Sequence, residues 1–384
     1  MRIVAIARVF PNRLEPLEGP FNRQQFRELG THAGIPVHVL HAVPSLYFSS
    51  LLGRPERAAR LAQLPDHDVV EGMPVTTLRH GYIPRIGLRV ALPLFEWALR
   101  GHEKLLKSSD AILGSWAFPD GCAAVRVAQR LHKPCVVKVH GSDINVVAQH
   151  PAAARAIARD LAKAHAVVVM AKSLGRELVR LGVPENLIAF VPNGIDQTLF
   201  FPRERTTGDH STVEEHRPIG VLFVGRLEAQ KGLGDLLDAW PIVRKEVPTA
   251  TLRLVGVGPL HERALCTDGV EVLGAKPHDA IPELLHEASL FVLPSWAEGM
   301  PNVILEALAC GRPVVGTSVG GIADALPHED AGTVVSPHNP RELAAAIVAR
   351  LHRPFDAHRV SSFGPPSWSD SARALFDVLE RARK

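Results

Sequence analysis

Twelve short apolar runs rich in Val, Ile and Leu recur along the 384 residues, each followed by a stretch with helical spacing. The first half carries RIVAIARV, VHVLHAV, AILGSW, CVVKVHG, AVVVMA and IAFVPNG. The second half carries IGVLFVG, ATLRLVG, VEVLG, LFVLPS, PVVGT and GTVVS. Continuous rather than alternating apolar runs mark strands covered on both faces, as in parallel sheets. Strand and helix in alternation then specify a doubly wound α/β architecture. Twelve strands exceed what one open sheet comfortably holds, so about six are expected in each of two sheets. A single core rarely grows to this length, which also favours two domains. The polar, proline-bounded stretch Phe201 to Pro218 is the best linker candidate, and Ser369 or Asp370 is the expected cap of a last amphipathic helix. In doubly wound folds ligands bind outside the carboxyl ends of the strands, so a cleft between two facing domains is the expected place for function.

Charge narrows the choice of partners. Residues 1–196 hold 24 Lys or Arg against 16 Asp or Glu, whereas the remainder hold 19 against 24. Two lobes with different partners are expected from this asymmetry. Much of the positive charge lies in Arg79 to Lys107, where basic and large apolar residues alternate at roughly helical spacing. Such a segment suits an anionic membrane surface or a lipid-linked phosphate, and equally a partly buried helix with solvated cations. No stretch approaches the roughly 18 to 20 apolar residues that cross a bilayer. Arg8 interrupts the first apolar run, which therefore does not read as an export signal. The scattered Cys122, Cys135, Cys266 and Cys310 show no metal-ligand spacing and fit a reduced cytoplasm. The histidines show no HExxH spacing, so no metal is expected. Basic residues are not interleaved with stacking aromatics, so nucleic acid is not an expected partner.

The loops after the second-half strands carry the chemistry. After IGVLFVG come Gly225 and Arg226, with Lys231 a few residues on. A planar guanidinium and a point charge at a strand mouth suit a diphosphate. After ATLRLVG comes VGVGPLH, close to a dinucleotide fingerprint, but His261 replaces the third glycine and weakens the case for NAD. After LFVLPS come Glu298 and Glu306, eight residues apart. That spacing is about 800° of helical rotation, about 80° past two full turns, so one helix face cannot present both. Gly299 and Pro301 oppose a helix through Glu298, which places Glu298 in a loop and Glu306 in the following helix. The backbone of residues 299 to 303 between them is expected to offer N–H groups at the helix start. Two carboxylates and these amides suit a polyhydroxylated anion.

EGMPNVILEALACGRPVVGT resembles the E-x7-E signature of retaining nucleotide-sugar glycosyltransferases of family 4, which have the GT-B fold. VLFVGRLEAQKG, VPNGIDQTLFFP, VLPSWAEGMPN, SVGGIADAL and VVKVHGSD fall in the family's order. The resemblance implies two Rossmann-like domains, acceptor-binding over 1–198 and donor-binding over 199–365, with the last helix, 366–384, returning to the first domain. It implies that Arg226 and Lys231 hold the donor diphosphate and Glu306 the ribose. Glu298, with Gly299, Met300, Pro301 and Asn302, would hold the transferred sugar. His140 would face that sugar, and Gly19 would let the first domain approach the phosphates. The sequence departs from the family at Gly19, where EGPF replaces a glycine pair, and at Ala323-Asp324, which replaces Pro-Glu. The implied activity is retaining, metal-independent transfer from a nucleoside-diphosphate-sugar to a glycan or lipid-linked acceptor. That reaction needs no further cofactor, and cell-surface polysaccharide or glycolipid synthesis at the inner membrane face is the expected setting.

Four other readings compete. A retaining glycosidase also needs two carboxylates, about 5 to 5.5 Å apart, but leaves Arg226 and Lys231 without a role. A metal-dependent transferase would use Asp66 and Asp68, which read as a solvated connector before a strand. A non-catalytic two-lobed sugar-binding protein would share the architecture, and an NAD-dependent oxidoreductase would need the fingerprint that His261 interrupts.

Overall fold

Each of the twelve apolar runs contains a strand, and two strands that the sequence reading missed bring the number among the described residues to fourteen. The computed structural model describes residues 1–16, 18–45, 56–81, 87–203 and 219–384. Most of the linker candidate, residues 204–218, lies outside them. By internal contact the chain forms two units, Met1–Gly194 with Pro366–Lys384, and Ile195–Pro365.

The first unit holds β1 (Ile3–Ala7), β2 (His38–Ser45), β3 (His67–Val70), β4 (Met73–Gly81), β5 (Ala111–Ser115), β6 (Cys135–Lys138), β7 (Ala166–Val169) and β8 (Ile188–Phe190). They form one sheet in the order β3-β4-β2-β1-β5-β6-β7-β8. The expected six strands are thus eight. The two added ones form an antiparallel edge hairpin with Val70 opposite Met73. Its two-residue turn, Glu71 and Gly72, has φ 48° and 79°, the left-handed values that a tight hairpin requires. Asp68 therefore lies in a strand rather than in a connector. Its carboxylate takes both arms of Arg13 at 2.7 Å, while Asp66 pairs with Arg79.

The basic segment Arg79 to Lys107 is not one helix. It comprises the end of β4 and the helices Gly87–Arg100 and Glu103–Ser108, and residues 82–86 lie outside the described residues. Helix Trp368–Arg383 begins at Ser367, whose Oγ accepts from the N–H of Asp370. Ser367 is thus the cap, and Ser369 and Asp370 lie inside the first turn. Leu375 and Leu379 of this helix are fully buried in one core with Phe26 and Leu29 of helix Pro20–Ala33. Burial of each is worth about 1.5–3 kcal/mol, enough to hold the chain terminus on the first unit. The approach is tight, because a Cβ on Gly194 would lie 2.4 Å from Cα of Trp368.

The second unit holds β9 (Ile219–Val224), β10 (Ala250–Val255), β11 (Val270–Gly274), β12 (Leu290–Leu293), β13 (Val314–Thr317) and β14 (Gly332–Val335). All pair in parallel in the order β11-β10-β9-β12-β13-β14. In each unit the strand order reverses beside the first strand, between β1 and β5 and between β9 and β12. Loops leaving those neighbours on the carboxyl side diverge and open a crevice.

Candidate active site

In the second unit, the crevice beside β9 and β12 collects most of the residues singled out above. Lys231 lies in the loop after β9 and Glu298 in the loop after β12. The Lys231 ammonium meets the Glu298 carboxylate at 2.6 Å, and Ser295 Oγ donates to the same oxygen at 2.8 Å. Both loops are fixed by backbone contacts. Trp296 N–H donates to the Gln230 carbonyl at 2.9 Å, and the Trp296 indole N–H donates to Asp235. Gly232, at φ 67°, would place a Cβ 1.7 Å from the carbonyl oxygen of Pro294, so only glycine lets the two loops close on each other. Gly320, at φ 54°, would likewise place a Cβ 2.0 Å from the Glu298 carbonyl oxygen.

Glu306 occupies helix Asn302–Ala309, and Glu298 lies in the loop before it. The Glu306 carboxylate is mostly buried and meets His278 Nε2, in the loop after β11, at 2.8 Å. One expectation needs correction. Pro301 carries no amide proton, so the donors at this helix entrance are those of Gly299, Met300, Asn302 and Val303. Pro301 serves instead as the extended residue before the helix, and its carbonyl accepts from Ile304. Gly225 N–H donates to the Val255 carbonyl, which fixes the backbone just before Arg226. The Arg226 side chain is exposed and reaches Glu228 at 2.9 Å.

The glycines of the dinucleotide-like motif have a local cause. A Cβ on Gly256 would lie 1.9 Å from the Gly225 carbonyl oxygen, and one on Gly258 would lie 2.4 Å from that of Leu227. They let the loops after β9 and β10 lie against each other. A bound pyrophosphate is not needed to explain them.

In the first unit, the crevice between β1 and β5 gathers Gly19 and His140 with residues that the sequence reading did not assign. Gly19, at φ 61°, begins helix Pro20–Ala33, and a Cβ there would lie 2.7 Å from the Val9 carbonyl oxygen. His140 follows β6, and its Nε2 lies 2.8 Å from Ser115 Oγ at the end of β5. The imidazole stacks on Trp116, with ring centroids 5.7 Å apart, and Phe21 tilts against it at 5.3 Å. Burial, reinforced by the nearby Lys138 charge, holds the His140 pKa well below the ordinary imidazole value, so the ring is neutral at pH 7.

Asp143 organises this turn. Its buried carboxylate accepts from the N–H groups of Ala117 and Gly141, each at 2.8 Å, and of His140 at 3.0 Å. Burial pushes its pKa up against the pull of these amides. Trp116 is held at φ 130°, a conformation that costs a bulky residue about 1–3 kcal/mol and that clusters at functional sites. Arg8, after β1, donates to both oxygens of the fully buried Asp120 at 2.9 and 2.6 Å and lies 5.8 Å from the Trp116 ring. The readable signal was HGSD, a histidine followed three residues later by an aspartate able to close an Asx-type turn. Ser115 and Trp116, two polar-tipped residues ending an apolar run, were the other signal.

Among the described residues, no group of three or more His, Cys, Asp or Glu is placed to hold a metal ion.

Comparison with known proteins decides the family. Residues 218–353 match the model for glycosyl transferases group 1, and residues 27–199 match that for glycosyltransferase family 4. TuaC of Bacillus subtilis, a glycosyltransferase assigned to teichuronic acid biosynthesis, is 30% identical over 396 residues, spanning 100% of this chain and 96% of TuaC. The chain belongs to the group 1 glycosyltransferases. This glycosyltransferase is also 26% identical to the amylovoran biosynthesis glycosyltransferase AmsK of Erwinia amylovora, over 72% of the chain and 69% of AmsK. Its fold is that of the Anabaena HepE crystal structure in complex with UDP-glucose, with TM-score 0.62, 18% identity and coverage of 98% and 99% of the two chains. Two Rossmann-like units of the GT-B class thus make up this glycosyltransferase.

Proposed function

We propose that this glycosyltransferase moves a sugar from a nucleoside-diphosphate-sugar to a glycan or lipid-linked acceptor, with retention of anomeric configuration and without a metal. The observation that carries the reading is the 2.6 Å contact between Lys231 and Glu298 at the switch point of the second sheet. Transfer begins when the bond between the anomeric carbon and the diphosphate oxygen breaks. A cation beside that oxygen stabilises the charge growing on the leaving group, and a carboxylate beside the sugar orients hydroxyls and offsets oxocarbenium charge. Lys231 and Glu298 are close enough to serve the two sides of one bond.

Arg226 adds a second cation on an exposed side chain that would leave Glu228 for the diphosphate. Glu306 receives the ribose hydroxyls, and the Gly299, Met300 and Asn302 amides meet the sugar or phosphate oxygens. In this reading His140 meets the transferred sugar. In a front-side route the departing phosphate takes the acceptor's proton, which requires no protein base. HepE bound to UDP-glucose supports a uridine diphosphate sugar as the donor class, and the names of TuaC and AmsK support polysaccharide synthesis.

A thermal-shift screen of nucleoside diphosphates and nucleotide-sugars tests the donor. A ligand at about 100 times its Kd adds about 2.7 kcal/mol of apparent stability. Stabilisation by a nucleoside diphosphate, lost in Glu306→Ala, is the expected result. Stabilisation by NAD alone or by free sugars alone would overturn the reading.

The setting we propose is the cytoplasmic face of a membrane. Among the described residues no helix is long and apolar enough to cross a bilayer. Helix Gly87–Arg100 exposes Trp97 at 59% together with Arg89 and Arg100, and the next helix, Glu103–Ser108, exposes Lys104. Each such cation near an anionic surface contributes about 1 kcal/mol at moderate salt. Sedimentation with phosphatidylglycerol vesicles is expected to pull down the protein at low salt and to release it at high salt. Trp97→Ala with Arg100→Gln should weaken that binding. Equal binding to neutral vesicles would count against the electrostatic part.

A further inference from the structure

The first-unit crevice contains a chain of hydrogen bonds whose direction can be read from its fixed end. Asn22, fully buried in helix Pro20–Ala33, donates from Nδ2 to the Val9 carbonyl at 2.8 Å. A carbonyl only accepts, so this bond fixes which end of the amide is which. The Asn22 oxygen is thereby turned toward Ser115, whose Oγ lies 3.3 Å away and donates to it. Ser115 is also fully buried and has one hydroxyl proton. With that proton committed to Asn22, the hydroxyl meets His140 Nε2, 2.8 Å away, as an acceptor. Nε2 must then carry the imidazole proton. Among the described residues none hydrogen-bonds to Nδ1 of His140.

We infer that Asn22 and Ser115 are positioning residues that hold His140 as its neutral Nε2–H tautomer, so that the Nδ1 lone pair accepts from a substrate hydroxyl. The assignment of the accepted hydroxyl to a sugar rests on the function proposed above; the tautomer does not. Ring stacking on Trp116 and the Asp143 clasp on the His140 backbone fix the ring plane and position. The Asn22–Ser115 chain fixes the remaining freedom, which nitrogen offers a lone pair. In the other tautomer the bare Nε2 would compete with Asn22 for the single Ser115 proton and leave one buried acceptor unmet. An inverted ring would set the carbon Cε1 against Ser115 in place of a nitrogen, and burial magnifies both losses. A histidine so held accepts one hydroxyl without being able to donate to it, which selects the orientation of the bound sugar.

Nitrogen-15 NMR of His140 in the protein without substrate reads the tautomer directly. The expected spectrum has an unprotonated Nδ1 and a protonated Nε2. Ser115→Ala and, as a second arm in case the first fails to fold, Asn22→Leu should convert this to averaging between tautomers. Ser115→Thr, which keeps the hydroxyl, should restore the single form. Ser115→Ala should also lower kcat/KM about tenfold, the scale of one misdirected hydrogen bond. A protonated Nδ1 in the wild type, or a tautomer unmoved in both variants, would overturn the inference. Because the spectrum needs no donor, that failure is separable from failure of the proposed activity.

Discussion

Lys231→Ala is expected to lower kcat by about 10²–10³-fold while changing the donor KM much less, because removal of one donor to a developing oxyanion has that size. The asymmetry follows from when the interaction is needed. A bound donor's diphosphate already carries its charge before the bond breaks, and in the structure Lys231 shares its ammonium with Glu298 at 2.6 Å. As the anomeric bond breaks, negative charge moves onto the leaving oxygen and positive charge onto the sugar. Lys231 and Glu298 then each gain the partner they would have on opposite sides of that bond. An interaction that strengthens on the way to the transition state appears in kcat. On the proposal that its carboxylate holds the ribose, Glu306→Ala acts far from the changing charge and should appear mainly in KM. Lys231 and Glu298 touch, so the double variant Lys231→Ala, Glu298→Ala should fall well short of the summed single losses. Initial rates across donor concentrations for Lys231→Ala, Glu298→Ala, Glu306→Ala and the double variant settle the matter. A Lys231→Ala enzyme with unchanged kcat and raised KM would falsify the leaving-group role.

What the sequence made legible is the part governed by local pattern. Continuous apolar runs located twelve strands because a strand covered on both faces has no polar positions to spare. The hairpin β3–β4 escaped because its half-exposed edge strand reads HDVV and the other strand, although mostly buried, carries Thr76, Thr77 and Arg79, so neither shows a continuous apolar run. Its cue was Glu71-Gly72, a two-residue turn, which is a turn signal rather than a hydrophobic one. The division of Glu298 and Glu306 between loop and helix followed from Gly299 and Pro301, whose backbone preferences act within a few residues. Asn22, Ser115, Asp143 and Lys138 were not legible as a group. They come from separate elements, and only the parallel register of β5 and β6 sets Ser115 beside Lys138. The glycines mislead in the opposite way. Gly256 and Gly258 fit a nucleotide fingerprint in sequence, whereas in space they relieve contacts with Gly225 and Leu227.

Stability of the first unit is expected to rise by about 4 kcal/mol between about pH 7 and about pH 10 on account of Lys138 alone, and Lys138→Met should abolish that rise. Lys138 ends β6 and is fully buried. Its Nζ donates to two amide oxygens, Gln25 at 2.5 Å and Asn193 at 3.2 Å, and its register neighbours are Ser115 and Val168. None of these is a carboxylate, so burial pushes its pKa down to about 7 from 10.5. In the window between those values the unfolded chain keeps the proton and the folded chain gives it up. Folding therefore releases a proton, and raising the pH favours the folded state. Below about 7 both states are protonated and the full cost of the buried charge remains. His140, the ionisable group beside it, is already neutral across this window and adds no slope. Two separately cored units need not unfold as one, so the transition to follow is that of the first unit, read from hydrogen exchange of the β6 amides. Subtracting the Lys138→Met profile removes the contribution of the other titrating groups, among them the Cys135 thiol, whose pKa burial pushes up to about 12. Parallel profiles for the two proteins would mean that Lys138 keeps its charge in the fold. A charged Lys138 would be held by the Gln25 and Asn193 oxygens. The same Gln25 side chain donates to Ser371 of the last helix at 2.9 Å, so that outcome would tie the helix to a buried ammonium rather than to a neutral amine.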